Sequence, residues 1–531
     1  MYADDVQRLE PSQLHFWERR LCVVLLSLVA AVPLVWPGVP PLLDLLGHMG
    51  RYRVQLDLAT SPALQQFYVF DWALIGNLGV DLLVEVLAPA IGLEPAVKLI
   101  VLAIPVLTVA GLLWVAREVH GRLPPTALFA VPFAFNFPFL FGFVNFALAM
   151  ALALNAFALW LRLARLGRAG TRALVFLPIA PLIWVTHAFG WGTLGVLAFS
   201  AELVRQVDKG RSLFVAPLRA AFHCLSLTLP LLMMVAWRSN AAGRTEDFFN
   251  WKRKWDWLVM ALRDRWEVFD IASLGLASAL ILWALFSRRM TYSRNLGASV
   301  LFLVLVFVLL PRIVFGSAYA DMRLAPYLFA VALVAIRMRP EASDRFTRGL
   351  AIAGLLFVAV RLGANTVSFW MYDRVYDAQL QALQHVPHGA RMASMVGREC
   401  REPWAMSRLL HLPGLAIVRR EAFSNDQWTM EGAQLLDVHY RAGWPFVSDP
   451  SQIVTQRRCG SERWLPIETA LRVLPREAFD YVWLITPPPY DPAVAAGLSP
   501  LWRGPGSSVL YRVDRTATRD TPTGSDTRPT R

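Results

Sequence analysis

Charge is scarce in this 531-residue chain: Asp, Glu, Lys and Arg make up 17% of it, against 56% hydrophobic residues. A soluble domain carries about 25% charged residues, so water is excluded as the main solvent for most of this sequence and lipid takes its place. Several chemical signatures are missing. There is no phosphate-cradling GxxxxGK[ST] loop, no HExxH and no CxxC pair, which argues against an ATP-driven machine unless a partner supplies the motor. No internal repeat is visible, which weakens an inverted-repeat transporter reading. The first apolar run, near 21–36, lacks a small-residue cleavage site and follows a charged segment, so it reads as a retained anchor. Cysteines number four. Cys22 and Cys224 lie in or beside apolar stretches and read as packing residues. Cys400 and Cys459 fit a disulfide if their surroundings are oxidising, and fit two unrelated thiols equally well.

What is abundant fits the same picture. The chain has 20 Trp and 31 Phe, rings that favour membrane interfaces. Its net charge of +13 reads as topology, because Lys and Arg sit mainly in short loops between apolar runs; a nucleic-acid partner is not expected. Runs suited to spanning lie near 21–37, 97–116, 124–141, 143–161, 173–187, 189–204 and 213–236, then near 271–287, 296–311, 324–338 and 349–369. Gly142 is the expected hairpin tip between the third and fourth. Arg117, Arg162, Arg165, Arg168, Arg172, Arg205, Arg288, Arg337 and their neighbours crowd alternate loops. The positive-inside rule then puts the N-terminus in the cytoplasm and the C-terminus outside.

The expected fold class is an α-helical polytopic membrane protein with about eleven transmembrane helices and a small C-terminal α/β extracytoplasmic domain. Residues 1–20 form a cytoplasmic segment and 21–372 the membrane module, with long outer loops near 38–94 and 237–270. Residues 373–515 form the outer domain, with β-like runs at 391–396, 481–486 and 509–513. A Thr-, Asp-, Arg- and Pro-rich tail at 516–531 reads as disordered.

The first outer loop carries Asp44, His48, Arg51 and Gln55 at spacings of four, three and four, which places all four on one helical face. A carboxylate beside an imidazole and a guanidinium suits general-base work, with Arg51 holding Asp44 ionised and His48 donating a hydrogen bond or sharing a metal. An interfacial helix with a wet face gives the same pattern. A second stripe, Asn77, Asp81 and Glu85, follows Asp71. At roughly 3 kcal/mol per charge at mid-bilayer, that element belongs flat on the outer surface or along a cavity. In the second outer loop Lys252, Arg253 and Lys254 interleave with Trp251, Trp255 and Trp257, which fits a helix gripping anionic lipid or phosphate, or simple interfacial anchoring. His187 ends a span, Asp321 and Arg323 occupy a short outer loop, and Arg361 lies roughly 12 Å below the outer end of the last span. Arg361 faces a cavity and a phosphate, or snorkels. Otherwise the spans are read as nearly free of mid-membrane charge.

These residues resemble the GT-C superfamily of membrane glycosyltransferases, which includes protein O-mannosyltransferases, lipid A aminoarabinose transferases and oligosaccharyltransferases. More narrowly, Asp44-x3-His48-x2-Arg51, followed by Phe67-Tyr68, Trp72, Asn77 and Asp81, and the segment Asp321-x-Arg323-x-x-Pro326, look like a group of bacterial GT-C-like proteins. The first loop departs from several members in lacking an adjacent acidic pair. The resemblance implies transfer of a sugar from a polyprenyl-phosphate carrier to a glycan, lipid or protein acceptor at the outer face of the bacterial inner membrane. Asp44 is then the general base, with His48 and Arg51 positioning the acceptor or touching the donor phosphate. Asp71, Asn77, Asp81, His187, Lys252, Arg253, Asp321, Arg323 and Arg361 are the substrate-binding candidates. A divalent metal is left open. Two other readings stand beside this one: a transporter or flippase of a lipid-linked substrate, and a non-catalytic envelope protein whose outer domain binds a partner.

Overall fold

Apolar segments in lipid must satisfy their own backbone groups, and the helix does so within one segment. The computed structural model of the chain describes residues 14–237, 244–314, 316–430, 434–460 and 462–515; the expected tail 516–531 and residues 1–13 lie outside them. Most of the described chain is helical. Five helices are long and apolar enough to cross a membrane: Leu93–His120, Val144–Arg165, Ala169–Thr186, Glu267–Phe286 and one beginning at Asp344. A sixth is added if Val215–His223 and Leu225–Val235, bent by 47°, count as one span.

The other apolar runs take shorter forms for identifiable reasons. Residues 125–140 hold Pro125, Pro132 and Pro138, each without a backbone donor. They form an 11-residue 3-10 helix, Pro125–Phe135, and then a single turn, Phe137–Leu140, all of it buried. Gly142 does turn the chain into Val144–Arg165, with φ of +99°. A Cβ there would stand 2.5 Å from the backbone nitrogen of Asp44, so the glycine permits this turn to press against the helix that carries the first polar stripe.

The helices also contain more charge than their composition suggests. Arg172 and Glu202 pair at 2.5 Å with both side chains 2% exposed, and Arg172 lies over the Trp160 ring. Arg361 pairs with Asp270 at 2.7 Å. Arg361 apart, these charges lie within a few residues of helix ends, and they are neutralised pairwise inside the bundle.

The C-terminal region forms a six-stranded mixed sheet in the order Leu465–Pro466, Ile453–Thr455, Met392–Gly397, Tyr481–Ile485, Val509–Val513, Leu498–Arg503. The first four strands are mutually parallel and the last two antiparallel to their neighbours. The expected boundary at 373 falls inside the continuous helix Asp344–Leu380. Asn365, Phe369, Tyr372, Tyr376 and Gln379 keep a buried stripe at helical spacing through that point. Tyr372 Oη donates to the Met406 carbonyl at 2.6 Å and Tyr376 Oη to that of Arg408 at 2.8 Å.

Nor does the first long loop stand apart from the C-terminal region. Its strand Tyr68–Phe70 pairs antiparallel with Leu436–Val438, and its helix Leu45–Asp57 packs against Gly414–Arg420. Val54, Leu64, Phe67 and Tyr68 share a hydrophobic core with Ala393, Phe423 and Leu484.

Candidate functional site

A cavity of about 1580 Å³ opens where the first long loop, the segment 251–271, the loop ahead of Arg323 and the C-terminal region meet. It exceeds the 300–1,000 Å³ typical of small-molecule sites.

Asp44 stands at the cavity as the residue before the first turn of Leu45–Asp57. Its N–H donates to the Phe141 carbonyl at 2.9 Å, which fixes the helix start on the Gly142 turn. Burial raises its carboxyl to about 7, above the ordinary carboxylate range, although His411 and Arg323 pull the other way. His48, one turn on, also lines the cavity; burial, with Arg51 and His411 nearby, holds its imidazole neutral. Trp428 stands edge-on to both the His48 and His411 rings, at 5.1 and 4.7 Å. It can do so because residue 47 is glycine: a Cβ there would meet the indole at 2.6 Å.

The expected stripe divides after His48. Arg51 does not hold Asp44 ionised; it pairs with Asp81 at 2.9 Å. Seven residues of helix place Arg51 about 10.5 Å along the axis from Asp44, out of reach of a direct pair. Gln55 donates to Glu85 Oε1 at 2.7 Å and to the Asp81 carbonyl at 3.1 Å. Asn145 donates to the other Asp81 oxygen at 3.0 Å. The two stripes therefore face each other. Asp81 is fully buried and does not lie flat on a surface or line the cavity, whereas Asn77 does line it.

Arg323 also lines the cavity, at 7% exposure. Its Nη1 donates to the Ala318 carbonyl at 2.9 Å, its guanidinium lies over the Phe143 ring at 4.4 Å, and its Nε has no partner. Among the described residues no carboxylate comes within ion-pair distance of it. His187 lines the cavity too and caps the helix Ala188–Asp208, accepting from Phe189 N–H at 3.1 Å. Lys252 and Arg253 line the mouth on the short helix Trp251–Val259, whose Trp251 and Trp255 are exposed. Lys254 points inward, donating to the Phe307 and Leu310 carbonyls at the end of Arg294–Leu309 and lying 3.5 Å from Asp321.

Besides Asp81, three expected binding residues are thereby corrected. Asp321 is buried against Lys254 because a buried ammonium requires a counter-charge. Arg361 neither faces the cavity nor snorkels: Asp270 and the Leu262 carbonyl occupy its guanidinium. Asp71 is exposed and lies outside the cavity, where the Tyr68–Phe70 pairing carries it.

The C-terminal region supplies what the sequence reading missed. His411 and Asp449 line the cavity, and Asp426 lies behind His411. Of the two expectations for Cys400 and Cys459, the disulfide is the one present, and it ties down the cavity wall 398–404. Arg263 holds the same wall through the Pro403 and Trp404 carbonyls, each at 2.8 Å. No group of three or more His, Cys, Asp or Glu placed to hold a metal occurs among the described residues. No protein-family model matches the chain, and no curated protein sequence matches it.

Proposed function

We propose that the chain is a membrane glycosyltransferase of the GT-C type. It takes a sugar from a polyprenyl-phosphate carrier and passes it to an acceptor hydroxyl at the outer face of the cytoplasmic membrane. The short apolar helices count with the long ones toward about eleven crossings, the N-terminus is cytoplasmic, and the cavity is extracytoplasmic. The observation that carries this reading is one large cavity lined both by the carboxylate of Asp44, its side chain 16% exposed, and by the buried guanidinium of Arg323, which has no carboxylate within ion-pair distance among the described residues.

In this scheme the acceptor oxygen attacks the anomeric carbon and the bond from that carbon to the phosphate oxygen breaks. Polyprenyl phosphate leaves with the bonding electrons, and the hydroxyl proton passes to Asp44. A carboxylate poised near neutral pH is matched to that task. Arg323 receives the charge that grows on the leaving phosphate. The exposed Trp251 and Trp255 beside Lys252 and Arg253 suit a lipid carrier whose phosphate approaches along the bilayer surface.

The test is transfer by purified protein in nanodiscs, with polyprenyl-phosphate-linked sugars as donors. Asp44→Asn should retain donor binding and lose transfer by about 10²–10⁴-fold. Arg323→Ala should weaken binding itself. An Asp44→Asn protein that transfers at the wild-type rate sinks the assignment.

A further inference from the structure

His411 reaches Asp44 from the other half of the molecule. It sits just ahead of the helix Gly414–Arg420, which packs along Leu45–Asp57. Its Nε2 is 4.0 Å from Asp44 Oδ1. Its Nδ1 is 3.1 Å from the Asp426 carbonyl oxygen and 3.7 Å from Asp426 Oδ2. A carbonyl only accepts, so Nδ1 carries a proton. The Asp426 side chain is 0% exposed and its Oδ2 has no hydrogen-bond partner. A buried carboxylate left in that state costs several kcal/mol unless a positive charge stands beside it, and His411 is the group in place to carry one.

The surrounding charges agree. Asp44 and His48 face His411 from the first-loop helix, and Asp426 and Asp449 face it from the C-terminal region. Arg323 acts on Asp44 from the helix Ala320–Ala335. Burial alone would discharge the ring, but Asp426, Asp449 and Asp44 outweigh it and raise the imidazole to about 9. The ring is therefore cationic at neutral pH, while His48 beside it is neutral.

We propose that His411 is a positioning residue for Asp44: an imidazolium seated on Asp426 stands 4.0 Å from the Asp44 carboxylate and favours its ionised form at the cavity. The proposal rests on the reading of Asp44 as the base. It makes the C-terminal region a part of the reacting centre, and it gives His411 no proton to exchange with substrate and no bond to form. Trp428 stands edge-on to both imidazoles.

The experiment is an infrared titration of the full-length protein in nanodiscs, with the Asp44 carboxyl band identified by its loss in Asp44→Asn. In the wild type that band should titrate near 7. In His411→Gln the midpoint should rise by about 1–3 pH units, the size of effect a neighbouring cation has on a carboxylate. An unmoved midpoint overturns the proposal. If His411→Gln does not fold, nitrogen-15 spectra of histidine-labelled wild-type protein decide instead: at pH 7.5 both ring nitrogens of His411 should carry protons, and a neutral ring overturns the proposal. Neither readout requires sugar transfer, so a wrong substrate leaves this result standing, and an unmoved band leaves the transfer reaction standing.

Discussion

Arg51 and Asp81 form an ion pair at 2.9 Å with side chains 2% and 0% exposed, so the two polar stripes of the first long loop neutralise one another away from water. Removing one partner leaves the other charged and buried. Asp81→Asn or Arg51→Met should each cost about 3–5 kcal/mol, read as a lower unfolding midpoint in detergent. The double variant should recover much of that loss. A single variant with the wild-type midpoint would contradict this role.

Asp44 should impose opposite pH trends on stability and on transfer. Its carboxyl is held at about 7 in the folded protein, against ~3.9 in an unfolded chain. Between those values the folded state keeps a proton that the unfolded state releases, so stability falls as pH rises across that window. The base form grows over the upper part of the same window, and transfer at pH 6 should lie about tenfold below its plateau. Stability curves and pH–rate profiles check the two trends. Asp44→Asn should remove the stability slope.

Arg408 ties the C-terminal region to the apolar helices. Its guanidinium donates to the Pro41 carbonyl at 2.6 Å and to Asp264 at 2.5 Å. Asp264 also accepts from Asn365 and Ser368, at 2.9 and 3.0 Å. Arg408→Ala should strand the Asp264 charge at about 3–5 kcal/mol and expose the chain near 398–411 to limited proteolysis. Unchanged cleavage would show that the tie is dispensable.

The disulfide predicts a thiol count. Alkylation of denatured, unreduced protein should mark Cys22 and Cys224 alone, and reduction should add Cys400 and Cys459. Replacing Cys400 by Ser should destabilise the C-terminal region by about 2–4 kcal/mol. Four reactive thiols without reductant would remove the bridge.

Local periodicity made much of this molecule legible. The spacing of Asp44, His48, Arg51 and Gln55 marked the helix Leu45–Asp57, and the β-like runs at 481–486 and 509–513 marked Tyr481–Ile485 and Val509–Val513. Interleaved Trp and basic residues marked Trp251–Val259. Spacing could not reveal pairings across long separations. Arg51 meets Asp81 and Arg361 meets Asp270 because packing brings helices together, and each pairing removes from the site a residue that looked available. The segment around Asp426 resembles a solvated loop in sequence, yet Ser424, Asn425, Asp426 and Gln427 are all buried. Nothing in their spacing connects them, or His411, to Asp44 more than 360 positions earlier.

The central claim is sugar transfer at Asp44, and mass analysis of envelope lipids and glycans tests it most directly in three strains: wild type, deletion, and deletion carrying Asp44→Asn. The last two strains should share one change, a missing sugar on an acceptor with a polyprenyl-phosphate-linked sugar accumulating. A strain in which Asp44→Asn restores the wild-type profile in full would contradict it.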